Sequence, residues 1–402
     1  MGYRFTRADV AYLRSDAGRA ALTAVDERPL APATLLGDLE VVRREYPDHA
    51  AALVETVRLR RRATAKLDAA EWLLTDDALQ QATPTLVARH RAQRLAGREV
   101  HDITCSIGAE LAALHRVCPA VIGSDLDLVR LDMAAHNLAD APNVVLAQAD
   151  ALRPCSTGTV VIADPARRAD GRRTHDPAKL QPPLPDLLAA YRDRDLVVKC
   201  APGLDFERLA GGADGYAGMS WDGEVEVVSL DGAVREACLW SRGLSPSGVT
   251  RRATVLRGDG SEWTLTDIDP AEIPERAPGE WIIDPDGAVV RAGLVRHYAA
   301  KHGLWQLDPR IAYLTGDSVP GGVRGFRILD RLEFREKALR AELHRRDCGP
   351  LEILARGVDI DPDALRRRIK PRGSIAHTVV ITRIGRTATA FVCATPSPTR
   401  PG

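Results

Sequence analysis

The sequence predicts a mixed α/β protein: a parallel sheet with covering helices, a helical N-terminal segment before it and a small second α/β domain after it. Three observations carry this expectation. From Glu99 onward short apolar runs alternate with helix-like stretches, the pattern of a parallel sheet with right-handed crossovers. Residues 7–98 show Ala, Leu and Val at helical spacing and no strand-like alternation. After Gly321 the order strand, helix, strand, helix, hairpin starts afresh.

Element by element, the N-terminal segment reads as helices over Ala8–Leu22, Leu35–Glu45, Ala50–Leu67 and Pro84–Leu95. Asp48 stands where an N-cap is wanted, and Thr83-Pro84 puts proline at the first helical position. Arg58, Arg60, Arg61 and Arg62 read as a solvated helix face. The sheet strands are Val100–Thr104, Ala120–Ser124, Val144–Gln148, Val160–Ala163 and Leu196–Cys200, with helices over Glu110–Arg116 and Asp127–Leu138 between them. Glu224–Leu230 and Arg235–Trp240 form a hairpin across Asp231-Gly232, a two-residue turn signal. Arg251–Leu256 and Glu262–Asp267 read as another across Asp259-Gly260. Four parts follow: 1–98 helical, 99–243 the sheet core, 244–319 a β-rich connection, and 320–402 a small basic α/β domain with strands Phe326–Phe334 and Leu351–Val358, helices Glu336–Arg346 and Pro362–Ile369, and the hairpin Thr378–Ile384/Ala388–Cys393.

Composition bounds the function. With 402 residues and 45% hydrophobic content the chain can build sizeable cores, which excludes global disorder. Lys+Arg and Asp+Glu both number 55, so net charge points to no polyanionic partner, and the predominance of Arg over Lys reads as codon bias. Placement is more informative: residues 320–402 hold 17 Arg+Lys against 9 Asp+Glu. Seven widely spaced cysteines without a C-x-x-C pair argue against disulfides and against a zinc cluster, so no metal is expected. No apolar run approaches the ~18 residues of a membrane span and no signal peptide opens the chain, so a soluble cytoplasmic protein is expected.

The chemistry is expected at the strand tips. The first strand ends in Asp102-Ile-Thr-Cys-Ser-Ile-Gly108, which lacks G-x-G-x-x-G yet lies where open α/β sheets bind ligands. The second ends at Asp125, the third leads to Asp150-Ala151, and the fourth to Asp164-Pro165-Ala166-Arg167-Arg168. One acid alone would read as a cap or a turn former. Four, in register at four successive tips, point to a ligand with several hydrogen-bond donors. Lys199 ends the fifth strand beside them, and Arg366, Arg367 and Arg368 concentrate cations on one short helix.

Asp102–Gly108, Asp125, Asp150 and Asp164-Pro165 resemble the motifs of class I S-adenosylmethionine-dependent methyltransferases, which have a Rossmann-like core. The lead-in Leu74–Pro84 is similar to that of trimethylguanosine synthases, and the C-terminal part resembles THUMP-like domains of bacterial methyltransferases. The resemblance implies S-adenosylmethionine as cofactor. Asp102, Cys105 and Gly108 would line its methionine end, Asp125 would hold the ribose, Asp150 and Ala151 the adenine, and Thr83-Pro84 would lie over it. Asp164-Pro165 would be the catalytic pair facing the methyl acceptor, with Arg167, Arg168, Lys199, Arg366, Arg367 and Arg368 binding substrate. THUMP domains belong to RNA-modifying enzymes, so the implied partner is RNA, tRNA or rRNA in particular, and the implied reaction is methylation of a base at an exocyclic amine or ring nitrogen. Two departures stand out. Asp164-Pro-Ala-Arg lacks the second proline and the aromatic usual there, and Ser106 replaces a glycine. Methylation of a small molecule or protein, or a non-catalytic RNA-binding adaptor, are the alternatives; oligomeric state is open.

Overall fold

The computed structural model describes residues 2–166, 168–169, 172–173, 176–209 and 220–395. Arg167, and the side chain of Arg168, lie outside the described residues. The chain forms two compact units, one of Met1–Leu230, Arg235–Ser247 and Leu256–Ser261, the other of Asp231–Val234, Gly248–Val255 and Glu262–Gly402.

The sheet of the first unit contains β1 (Val100–Asp102), β2 (Val121–Asp125), β3 (Val144–Gln148), β4 (Val160–Ala163), β5 (Leu196–Cys200), β6 (Glu224–Leu230) and β7 (Ala233–Trp240). Their order is β6-β7-β5-β4-β1-β2-β3. Strands β1 to β5 run parallel, and β7 is antiparallel to β5. Asp231 and Gly232 adopt φ of 52° and 75°, the left-handed pair that a tight turn between β6 and β7 requires. Register aligns the carboxyl ends. Asp102 stands opposite both Gly123 and Ile162, Asp125 opposite Gln148, and Ala163 opposite Val198. Residues just past each tip therefore converge.

The N-terminal helices are not a separate body. Val10, Leu13, Leu22, Val25, Val42, Leu53 and Val57 share one buried cluster with Ile107, from the loop after β1, and with Met133. Asn137 ties the same parts together: its Oδ1 accepts from the Leu73 amide at 2.8 Å, and its Nδ2 donates to the carbonyls of Leu73 and Ile107 at 3.0 Å each. The expected division at 98/99 thus runs through a continuous core.

Three local expectations also change. The single helix over Ala8–Leu22 is two, Arg7–Arg14 and Asp16–Asp26, because Ser15 caps both: its amide bonds Tyr12 O and its hydroxyl accepts from the Gly18 amide. The helix Ala50–Ala63 has His49, not Asp48, at its N-cap. Of the arginines on its last turns, Arg58, Arg61 and Arg62 are exposed as expected, but Arg60, Arg61 and Arg62 are also tied to other parts of the chain. Arg60 donates to the carbonyl of Trp72, Arg61 to Asp26 and to the Pro29 carbonyl, and Arg62 to Asp76. Arg60 is buried enough that its guanidinium is held below its usual pKa.

The second unit has a seven-stranded sheet ordered Trp305–Gln306, Leu314–Gly316, Trp281–Asp284, Arg324–Glu333, Thr387–Ala394, Ile375–Ile384, Cys348–Arg356. Helices Glu336–Arg345 and Pro362–Ile369 bury Leu339, Leu343, Leu365 and Ile369 on it, against Ile353, Val379, Ile381 and Val392. The expected boundary at 319/320 cuts this sheet, because Ile282 pairs with Phe326 and Trp281 with Arg327. Residues 244–319 also carry helices Gly287–Arg291 and Val295–His302, so a β-rich connection describes them incompletely. No helix among the described residues is long and apolar enough to cross a membrane.

Candidate active site

The carboxyl ends of β1, β2, β4 and β5 open into a cavity of about 370 Å³. Its floor is the loop after β1. Asp102, the last residue of that strand, is buried and accepts from the Thr104 amide at 3.0 Å and its hydroxyl at 3.3 Å. Ser106 and Gly108 both take positive φ, 50° and 85°, which curls the loop back on itself. A Cβ on Gly108 would lie 2.7 Å from Leu138, so the close approach and the φ both call for glycine. The curl aims the Ser106 amide at Asp125 Oδ2, 3.0 Å away, while the Asp127 amide bonds Oδ1 at 2.9 Å. Two backbone donors thereby fix the Asp125 carboxylate and leave it spare acceptor capacity toward the cavity.

Asp164 closes the other side. Its amide donates to Thr104 Oγ1 at 2.7 Å, and its carboxylate meets the buried Lys199 ammonium at 2.5 Å. Ala166 and Gln181 exchange backbone hydrogen bonds of 2.8 and 3.0 Å, which lays Gln181, Pro182 and Pro183 along the wall. Asp150 Oδ1 accepts from the Leu152 amide at 2.9 Å, and the Ala151 carbonyl accepts from Tyr191 Oη at 3.0 Å.

Electrostatically the lining is acidic, with Asp102, Glu110, Asp125, Asp150 and Asp164 against Lys199 and Arg130. Burial pushes the Asp102 carboxyl up to about 7; the Thr104 amide opposes this, whereas Glu110 adds to it. For Lys199 burial acts downward, but the adjacent Asp164 carboxylate, together with Glu236 and Glu110, outweighs it and holds the ammonium above its ordinary range. Burial also pushes the Cys105 thiol well up, so this side chain serves as wall rather than nucleophile.

Of the residues expected from sequence, Thr83, Asp102, Cys105, Asp125, Asp150, Ala151, Asp164 and Lys199 line this cavity. Gly108, Pro84 and Pro165 do not line it: Gly108 shapes the loop, Pro84 is the N-cap of helix Thr85–Arg94, and Pro165 is buried. Arg366, Arg367 and Arg368 belong to the second unit. There Arg366 is held by Asp363 and the Leu351 carbonyl, and Arg368 by Glu336, while Arg367 is exposed.

Sequence reading missed Thr104, Glu110, Leu126 and Gln181–Pro183, all of which line the cavity. It also missed the ion pairs behind it. Arg91 is 1% exposed and meets both Glu110 oxygens at 2.6 Å and, with its other terminal nitrogen, Glu236. Thr83 is buried against the same Glu236. The available signal was Glu224-Val-Glu226 and Glu236 on otherwise apolar strands, opposite His90, Arg91 and Arg94 on one helix.

Comparison with known proteins gives a consistent set. Residues 323–395 match a family model described as THUMP domain-like, and residues 6–63 match a domain of unknown function. Two proteins of Mycobacterium tuberculosis (strains CDC 1551 / Oshkosh and ATCC 25618 / H37Rv), each named an uncharacterized S-adenosylmethionine-dependent methyltransferase, are 54% identical over 364 residues, 88% of this chain and 99% of theirs. A crystal structure from Porphyromonas gingivalis W83, described as a candidate methyltransferase, superposes with a TM-score of 0.71 at 16% identity, covering 98% of this chain and all of that one.

The raised Asp102 carboxyl has a consequence for stability. Between its unfolded pKa, about 4, and about 7 the folded chain holds a proton that the unfolded chain releases. Its contribution to stability therefore falls as pH rises through that window. Asp102→Asn, which keeps the acceptor for Thr104, should raise the melting temperature by several degrees at pH 8 and by roughly a third as much at pH 5. Equal shifts at both pH values in calorimetric scans would contradict this origin.

Proposed function

We propose that this chain, which belongs to the S-adenosylmethionine-dependent methyltransferases, methylates a base nitrogen in RNA, either an exocyclic amine or a ring nitrogen. The observation that carries the cofactor assignment is the ring of carboxylates around one cavity: Asp102 deep inside, Asp125 and Asp150 along one side, Asp164 at the other end. The donor set fits the cofactor. A buried carboxyl short of partners suits a ligand ammonium, which would restore its ionised form. A carboxylate fixed by two backbone amides suits a ribose diol.

On this reading Asp102, Cys105 and the Gly108-shaped loop hold the methionine end, Asp125 the ribose, and Asp150 with Ala151 the adenine. Thr83 closes over it, with Pro84 setting the entry of the helix behind. The cofactor supplies an already activated methyl group. The residues supply proximity and orientation: Asp164, on the stiff Asp164-Pro165 turn, accepts a hydrogen bond from an N–H of the acceptor and aims the nitrogen lone pair. Duplexed bases would have to be exposed first.

RNA as acceptor is supported by the THUMP-like match at 323–395 and by the excess of cations over residues 320–402, with tRNA or rRNA the expected class. Arg367, Lys370 and Arg372 are exposed and make no ion pair among the described residues, whereas Arg366 and Arg368 brace the same helix. Arg167 and Arg168, which follow Asp164-Pro165 in the sequence, would add cations for substrate binding. One observation favours a second reading, a small-molecule or protein acceptor: none of the described residues around the cavity is aromatic, so none could stack on a flipped base.

Two outcomes follow. Asp125→Ala should weaken S-adenosylmethionine and its demethylated product about ten- to hundred-fold in calorimetry, through lost charge-assisted hydrogen bonds; unchanged affinity would remove the ribose assignment. Neutralising Arg367, Lys370 and Arg372 together should weaken binding to single-stranded RNA of any sequence. It should also flatten the log-affinity against log-salt slope by roughly one to two units, at about 0.7 per phosphate contact. RNA affinity indifferent to salt and to these changes would favour the second reading.

A further inference from the structure

Asp164 and Lys199 face the cavity unequally. Strands β4 and β5 are adjacent, with Ala163 opposite Val198, so the next residue on each strand comes side by side across the tips. The Asp164 side chain is 32% exposed and that of Lys199 only 7%. The ammonium is turned inward onto Asp164 Oδ2, while Asp164 Oδ1 makes no hydrogen bond among the described residues. Among the described residues no cation is bonded to that second oxygen. Lys66, the next ammonium, is spent on the carbonyls of Leu79 and Gln80, and Arg91 is enclosed by Glu110 and Glu236. Removing Asp164 alone would strand a buried cation, whereas removing Lys199 alone would leave a carboxylate that water can reach.

We propose that Lys199 is a positioning residue, the buried counter-ion that fixes the Asp164 carboxylate toward the acceptor end of the cavity. The subsite then takes an uncharged, hydrogen-donating nitrogen and rejects an anionic acceptor. This revises the expected role of Lys199 as a substrate contact and rests on the cavity being the cofactor site. A carboxylate beside the transferable methyl also favours any cation placed there.

Sinefungin carries a protonated amine where the cofactor carries its methyl, and S-adenosylhomocysteine carries nothing there, so their affinity ratio reads the charge at that point without an acceptor. Calorimetry at pH 7 should find sinefungin tighter by about tenfold or more in the wild type. Lys199→Met should keep or enlarge the preference. Asp164→Asn, and Asp164→Asn with Lys199→Met, which strands no buried charge, should reduce it to within about threefold while S-adenosylhomocysteine affinity moves little. Equal binding, or tighter S-adenosylhomocysteine, in the wild type would mean that the ammonium faces the transfer point and would overturn the proposal, as would a preference that survives in the double variant. Failure of both ligands to bind would remove the cofactor-site assignment itself, and this proposal with it.

Discussion

Arg91 is the interaction on which the site depends. A guanidinium sealed from water is tolerated only where anions surround it, and removing one partner of such a group typically costs about 3–5 kcal/mol. Arg91 has two, Glu110 at the cavity and Glu236 on β7, so one side chain fastens three pieces of chain: helix Thr85–Arg94, the start of the segment after the Asp102–Gly108 loop, and the antiparallel end of the sheet. Arg94 repeats the device one turn on, meeting Glu224 at 2.9 Å and Glu226 at 2.6 Å with its guanidinium over the Trp240 ring. His90 adds a 2.8 Å contact to Glu226. Helix Thr85–Arg94 is thus held to the sheet by charge as much as by apolar contact. Thr83, at its entrance, is thereby held at the cavity wall.

The same economy governs the cavity itself. Thr104 accepts the Asp164 amide and donates to Asp102, so a single hydroxyl joins the two ends of the site. Gly123 lets β2 pass close beneath: a Cβ there would lie 2.4 Å from Leu111 and 3.1 Å from Cys105. The backbone curl at Ser106 and Gly108 then delivers an amide to Asp125. Each acid is oriented by main chain or by a counter-ion before any ligand arrives, which is the preorganisation that positional catalysis requires.

Much of this was legible in the amino-acid sequence, and the limits have physical reasons. Val144–Gln148, Val160–Ala163 and Leu196–Cys200 were read with their observed bounds, because a short apolar run between turn residues is a local signal. The tip acids were legible because topology brings successive parallel strands into one edge. The Ser15 break was not, since Ala, Leu and Val keep their helical spacing straight through it and the cap shows only in the hydrogen bonds. Nor was the Asp164–Lys199 pair, whose members are 35 positions apart and meet only through the register of β4 and β5. The arginine runs misled in the opposite direction. Arg60 to Arg62, and Arg366 with Arg368, look like free surface charge in one dimension and are bonded to carbonyls and acids in three.

The central claim is methyl transfer to a base nitrogen in RNA. Total RNA from a wild-type strain and from one lacking the gene, digested to nucleosides and compared by mass spectrometry, tests it most directly. The account predicts one N-methylated nucleoside missing from the deletion strain and restored by the wild-type gene but not by Asp164→Asn. Identical nucleoside profiles, or a missing nucleoside methylated on the ribose oxygen or on carbon, would contradict it.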